Sequence, residues 1–106
     1  MIRLVKYTVK PQHAAENERL VRAVFEALHA AQPDGLRYSS LKGDDGVTFM
    51  HLVSHESESS RDVLTTLPAF KAFLAGLRDR CAEAPAFTEL NAVGSYRLFD
   101  SAEVHG

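Results

Sequence analysis

Residues 36–54 read LRYSSLKGDDGVTFMHLVS, and the fold prediction starts from them. Two segments of strand character, 36–42 and 47–54, flank the turn GDDG at 43–46. Glycine at both ends of that turn supplies the positive φ that a tight connection needs. The stretch therefore predicts a β-hairpin.

The second strand of this hairpin carries large apolar side chains on both faces. Because successive side chains of a strand alternate, Phe49 and Val53 point one way, and Met50 and Leu52 the other. Such a strand is typically buried on both sides. Helices packed on one face would leave the other face apolar, so we expect that face to pack against a second copy of the chain.

The rest of the chain adds a helix and a strand on each side of the hairpin. The predicted elements are a strand over 2–10, a helix over 12–32, a helix that begins at Pro68 and carries an apolar stripe to Cys81, and a strand over 87–99. This order predicts an α+β, ferredoxin-like βαββαβ fold, in which two helices cover one face of a four-stranded antiparallel sheet. We expect one domain over residues 1–99 and a flexible tail at 100–106.

Composition excludes several classes of function. The 106 residues have a net charge of −2 and no basic cluster, which argues against nucleic acid as a partner. No stretch approaches the roughly 20 apolar residues that span a bilayer, so we expect no membrane segment and a cytoplasmic protein. The single cysteine, Cys81, gives neither a disulfide nor a pair of metal ligands, and no metal site is predicted.

His51 is the candidate catalytic residue. It lies in the middle of the second hairpin strand, on the face that also carries Phe49 and Val53. A neutral imidazole in an apolar cleft can accept a proton from a phenol. The alternative is a buried core histidine whose hydrogen bonds are satisfied by neighbours.

Other residues are candidates for binding a substrate. Tyr7 and Tyr38 come from different strands and could each direct a hydroxyl into a pocket, or pack as ordinary strand aromatics. Asn91 and Arg97 share a face of the last predicted strand, and Arg97 could hold an anionic oxygen or pair with an acid at an interface. Phe49 and Phe73 could wall the same cavity or belong to the core.

Four stretches of the chain carry a resemblance to a known family. They are YTVKPQHAAENERLVRAVFEAL, LRYSSLKGDDGVTFMHLVSHE, TLPAFKAFLAGLRDRC and VGSYRLF. Together they resemble the antibiotic biosynthesis monooxygenase-like group of the dimeric α+β barrel superfamily, over residues 2–99. The resemblance implies a homodimer in which the two sheets pack face to face and form a barrel between the subunits.

The resemblance also implies two alternative functions. One is a cofactor-independent monooxygenase of a phenolic or quinol-type aromatic small molecule. Strand parity, and not a family motif, assigns His51 as its base. The other is a non-catalytic barrel that binds small molecules or is associated with stress. The haem-degrading relatives use a histidine on the second helix and a tryptophan. This chain has no tryptophan, and residues 61–83 contain no histidine, so no cofactor is expected.

Overall fold

A computed structural model describes residues 1–99, and the predicted tail at 100–106 lies outside the described residues. The strands are β1 (Ile2–Thr8), β2 (Leu36–Lys42), β3 (Thr48–His55) and β4 (Ala86–Leu90), and the helices are α1 (Ala14–Ala31), α2 (Glu58–Thr66), α3 (Pro68–Leu74) and α4 (Leu77–Arg80). The strands form one antiparallel sheet in the order β2-β3-β1-β4. This is the predicted ferredoxin-like arrangement. Within residues 1–99, no helix is long and apolar enough to cross a membrane.

The predicted hairpin is confirmed, with its second strand beginning one residue later than expected. The backbone N–H groups of Val47 and Thr48 both donate to the Asp45 carboxylate at 2.9 Å, and the Thr48 hydroxyl donates to its second oxygen at 2.6 Å. Because its N–H is bonded to Asp45, Val47 belongs to the turn and not to the strand. From Phe49 onward the strand pairs with β2, from Lys42 opposite Phe49 to Leu36 opposite His55.

The helices cover one face of the sheet. The buried hydrophobic side chains come from that face and from the helices above it, and they are Tyr7, Val9, Val21, Val24, Phe49, Leu64, Phe73 and Cys81. The opposite face carries Leu4 directly across from Leu52, and Met50 across from Leu41. These side chains are only partly covered, and Leu41 is 39% exposed. The expectation of an apolar face without helices on it is confirmed.

The helix predicted from Pro68 onward is broken, contrary to expectation. α3 ends at Leu74, Gly76 adopts a left-handed φ of 77°, and α4 is only one turn long. Leu74, the last residue of α3, is 48% exposed. Cys81 has left the helix and forms a β-bridge with Val9.

The last strand is also shorter than predicted. It pairs with β1 from Lys6 opposite Ala86 to Ile2 opposite Leu90, and there β1 begins. Among residues 1–99, β1 offers no further partner beyond Leu90, and the alternation up to residue 99 does not form a strand. The large apolar side chains of this segment are exposed: Val93, Tyr96, Leu98 and Phe99.

Replacing Gly35 with alanine is expected to destabilise the fold more than the same change at Gly46. Both glycines have a φ near +75°, where alanine costs about 1–2 kcal/mol. A Cβ at Gly35 would also lie 2.5 Å from the Oγ of buried Ser60, whereas one at Gly46 would meet nothing within 4 Å. We expect the collision to add about 1–3 kcal/mol, as overpacking does. Urea unfolding of the two variants measures the difference, and equal losses would show that Ser60 yields freely.

Candidate functional site

His51 lies at the centre of the helix-covered face, between two tyrosines. It pairs with Val5 of β1 and Ser40 of β2, so Tyr7 and Tyr38 occupy the diagonal positions on either side. The Tyr7 hydroxyl lies 2.8 Å from His51 Nε2, and the Tyr38 hydroxyl lies 2.7 Å from Nδ1. His51 is 4% exposed. Both ring nitrogens are therefore occupied by tyrosine hydroxyls.

The hydrogen bonds continue inward from Tyr7. The Asn17 amide on α1 donates to the Tyr7 hydroxyl at 2.9 Å, and Arg80 Nε donates to Asn17 Oδ1 at 3.1 Å. Asn17 is fully buried and Arg80 is 4% exposed. We call Tyr38, His51, Tyr7, Asn17 and Arg80 the polar chain. It crosses the core from the sheet to the helices.

Arg80 is held where the helix breaks. Its guanidinium donates to the backbone carbonyls of Phe73 at 2.6 Å and Ala75 at 3.1 Å, and it lies 5.6 Å from the centre of the Phe73 ring. The interruption between α3 and α4 frees these carbonyls for a side-chain donor. No carboxylate of residues 1–99 lies within salt-bridge distance of Arg80. Within residues 1–99 the buried charge is therefore stabilised by two backbone carbonyls, the Asn17 amide oxygen and an aromatic face, without a carboxylate.

Burial keeps the tyrosines and the histidine uncharged near neutral pH. It lowers the pKa of His51 to about 4. It raises the pKa of Tyr7 to about 12, an effect that the Asn17 hydrogen bond partly offsets. Burial also raises the pKa of Tyr38. Arg80 thus carries the one formal charge of the polar chain.

Aromatic rings surround His51 on the inner side. The His51 ring lies 5.3 Å from both Tyr7 and Phe73, and Phe49 stacks on Tyr7 at 5.7 Å. Phe49 and Phe73, predicted to bind a substrate, are 2% and 4% exposed and pack as core residues around the histidine. The space beside the His51 ring is filled on this side.

The outer end of the polar chain is more open. Tyr38 is half-buried, with Phe25 at 5.0 Å and Phe70 at 6.5 Å, both in edge-on contact and both half-buried. We call Phe25, Tyr38 and Phe70 the aromatic rim.

The structure does not bring Asn91 and Arg97 to His51. Asn91 follows Leu90, which pairs with Ile2 at the start of β1, about 10 Å along that strand from Val5. Arg97 is exposed, and its guanidinium lies 5.3 Å from the ring of its neighbour Tyr96. Both residues lie past the end of β4, where the predicted strand is absent. Their predicted shared face depended on a strand over 87–99, and β4 ends at Leu90.

The sequence hypothesis missed Asn17 and Arg80. Each has the helical spacing of a buried residue: Asn17 precedes Val21 and Val24 by four and seven positions, and Arg80 follows Phe73 by seven. A polar residue in a buried stripe is a signal of an internal hydrogen bond. This signal was present in the sequence and points to both residues.

Two comparisons of the sequence with known proteins find no match. No protein-family model matches the chain. No curated protein matches it either.

Solved structures with a similar fold do exist. A protein of Bacteroides thetaiotaomicron, provisionally named an antibiotic biosynthesis monooxygenase, has a TM-score of 0.75 at 15% identity, over 88% of this chain and 89% of that one. A protein of Caulobacter crescentus with the same provisional name has a TM-score of 0.70 at 22% identity, over 88% and 89%. A third, from Mycobacterium tuberculosis, has a TM-score of 0.70 at 18% identity, over 89% and 95%. The chain therefore has the fold of solved structures that carry the name antibiotic biosynthesis monooxygenase, as the resemblance predicted.

Proposed function

We propose that this protein is a cofactor-independent monooxygenase of a phenolic or quinol-type aromatic small molecule. The observation that carries the proposal is a buried, neutral His51 that bridges two tyrosine hydroxyls, one of which reaches the aromatic rim. The fold shared with proteins named as antibiotic biosynthesis monooxygenases supports the same reaction class.

The chemistry needs only an electron-rich phenolate and dioxygen. The phenolate gives one electron to dioxygen, and the two radicals combine at an activated ring carbon. Loss of water from the resulting peroxide leaves a carbonyl, so that R₂CH₂ + O₂ gives R₂C=O + H₂O. Both substrate hydrogens leave in the water with one oxygen atom. The protein's part is to hold the ring and to stabilise its oxygen.

The residues of the rim suit this part. Phe25 and Phe70, whose rings contact Tyr38 edge-on, offer apolar surface for a flat aromatic ring, and the Tyr38 hydroxyl would bond its oxygen. His51 reaches such a ligand only through Tyr38, because both of its nitrogens are bonded to tyrosines. In this proposal Tyr38 touches the substrate, and His51 fixes Tyr38 in place.

Dioxygen uptake by the purified protein tests the proposal. We expect uptake with at least one member of a panel of anthrones, hydroquinones and flavonols, and a fall of about 10²-fold in kcat for Tyr38→Phe, as for loss of one oxyanion donor. Tyr96→Phe removes a hydroxyl from an 83% exposed tyrosine and is expected to leave the rate unchanged. Uptake that Tyr38→Phe retains would refute the site. No uptake across the panel would refute the reaction.

A second candidate function is a small-molecule binding protein without turnover. The observation that favours it is the close packing around His51, whose ring lies between Tyr7 and Phe73 with both nitrogens bonded. A satisfied polar network of this kind also gives a core a unique arrangement. This function would be supported by saturable binding of an aromatic ligand without dioxygen uptake. The Tyr38→Phe variant should then lose that binding.

We also propose that the chain forms a homodimer through the uncovered sheet face. The apolar side chains that no helix covers lie together on four adjacent strands: Ile2, Leu4, Leu41, Met50, Leu52 and Leu90. A contiguous patch of this kind is typical of an interface. A second copy of the chain offers the same face. Packing the two sheets face to face would remove both apolar faces from water.

A further inference from the structure

The direction of every hydrogen bond in the polar chain follows from its Arg80 end. A guanidinium has donors and no acceptor, so Arg80 Nε–H donates to Asn17 and the atom that receives it is the carbonyl oxygen. The other end of the same amide, Nδ2, therefore faces Tyr7 and donates to its hydroxyl oxygen. Arg80 thus fixes the orientation of the Asn17 amide.

The direction passes from Asn17 to the histidine. Since the Tyr7 oxygen accepts from Asn17, its own proton is free to donate, and His51 Nε2 at 2.8 Å is its remaining partner within residues 1–99. A neutral imidazole has one N–H, so Nδ1 carries the proton when Nε2 accepts. His51 Nδ1–H then donates to the Tyr38 oxygen.

The opposite order would leave a proton without an acceptor deep in the core. If His51 donated from Nε2, the Tyr7 oxygen would accept from both Asn17 and His51, and the Tyr7 O–H would point at no acceptor at 3% exposure. A buried donor left unpaired costs about 1–3 kcal/mol. In the first order the remaining proton belongs to Tyr38, which is half-buried, whereas Tyr7 is fully buried.

We propose that Arg80 and Asn17 are positioning residues that make Tyr38 a hydrogen-bond donor to the ligand, so that the site binds an oxyanion, a phenolate, in preference to a neutral phenol. The inference rests on the proposed function for the location of the ligand at Tyr38. It adds the ionisation state of the substrate and the residues that select it. Hydrogen bonds to a charged oxygen are roughly twice as strong as those to a neutral one, which gives the site its preference.

Asn17→Asp is the variant that reverses the chain. The two side chains have nearly the same shape, but a carboxylate only accepts, so Arg80 and Tyr7 would both donate to it. The Tyr7 oxygen would then accept from His51 Nε2–H, and Nδ1 would accept from Tyr38. This one substitution lies three hydrogen bonds from Tyr38. It is expected to direct the Tyr38 O–H toward His51 Nδ1, so that the hydroxyl no longer donates to a ligand at the rim.

Nitrogen-15 NMR of the His51 ring reads the direction without any ligand. We expect the wild-type protein to show the Nδ1–H tautomer, and Asn17→Asp to show Nε2–H. An Nε2–H tautomer in the wild type would overturn the proposal by itself, whether or not the variant folds. An Nδ1–H tautomer that persists in a folded Asn17→Asp protein would show that Asn17 does not set the direction.

p-Nitrophenol tests the ligand preference, because its phenolate absorbs in the visible and it has no oxidisable methylene. We expect the wild type to bind the phenolate about tenfold more tightly than the phenol, which lowers the apparent pKa of the bound dye by about one. Asn17→Asp is expected to lose that preference. An unshifted or raised pKa, or no binding, would overturn the inference. Dioxygen uptake is a separate readout, so either proposal can fail while the other stands.

Discussion

Lowering the pH from 6.5 to 4 is expected to reduce the free energy of unfolding by on the order of 3 kcal/mol through His51 alone. Burial holds the pKa of this histidine at about 4 in the folded chain, whereas an unfolded histidine titrates near 6.5. Between these values the unfolded chain binds a proton that the folded chain does not. The contribution is therefore fully present above pH 6.5 and is lost as the pH falls toward 4.

His51→Gln isolates this contribution. Glutamine keeps a donor and an acceptor but does not titrate, so the variant is expected to lack the pH dependence between 6.5 and 4. Other groups remain in both proteins, including Glu18 and Asp45, whose pKa values hydrogen bonds lower, and His55, whose pKa burial lowers. Urea unfolding at four or five pH values measures the difference. Parallel curves for the two proteins would show that His51 is not held neutral by burial.

A charge in the middle of the uncovered sheet face is expected to separate the proposed dimer. Leu52 lies on the central strand pair, directly opposite Leu4, and Leu52→Asp would bury a carboxylate between two apolar sheets. Without a partner charge this costs several kcal/mol at each of two symmetric positions. We expect light scattering to give the mass of one chain, 11.7 kDa, for the variant and twice that mass for the wild type.

The matched control for this experiment places the same charge on the helix side. Ala15 is exposed in the first turn of α1, where an aspartate is favoured by the helix dipole. Ala15→Asp is expected to remain dimeric. A wild type that is monomeric at high concentration would contradict the proposed dimer, and a dimeric Leu52→Asp would show that its interface lies elsewhere.

Strand periodicity predicted the centre of the site. The alternation of the second hairpin strand placed Phe49 and His51 on one face, and the structure buries both there. Tyr7 and Tyr38 could be named as candidates because each lies on a strand. That they flank His51 depends on the register between strands, which one strand's alternation does not contain. The structure supplies that register.

The helical part of the site could not be read in the same way. The apolar stripe after Pro68 favoured one long helix, whereas Gly76 breaks it and turns Arg80 back onto the carbonyls of Phe73 and Ala75. An arginine in a helix is ordinarily solvated, so the seven-residue spacing from Phe73 marks Arg80 only as a candidate, and the contact with Asn17 shows what it binds. The predicted length of the last strand was wrong for a related reason. The length of β4 depends on its pairing with β1, a segment distant in the sequence.

Proton NMR titration of the His51 ring is the most direct test of the account, because the site depends on a buried imidazole that stays neutral between two tyrosines. The His51 resonances are identified by their absence from His51→Gln, and His29, exposed on α1, serves as an internal reference for an accessible histidine. The account predicts that His51 does not titrate until the pH approaches 4. A midpoint near 6.5, together with exchange of the ring N–H as fast as that of His29, would contradict it.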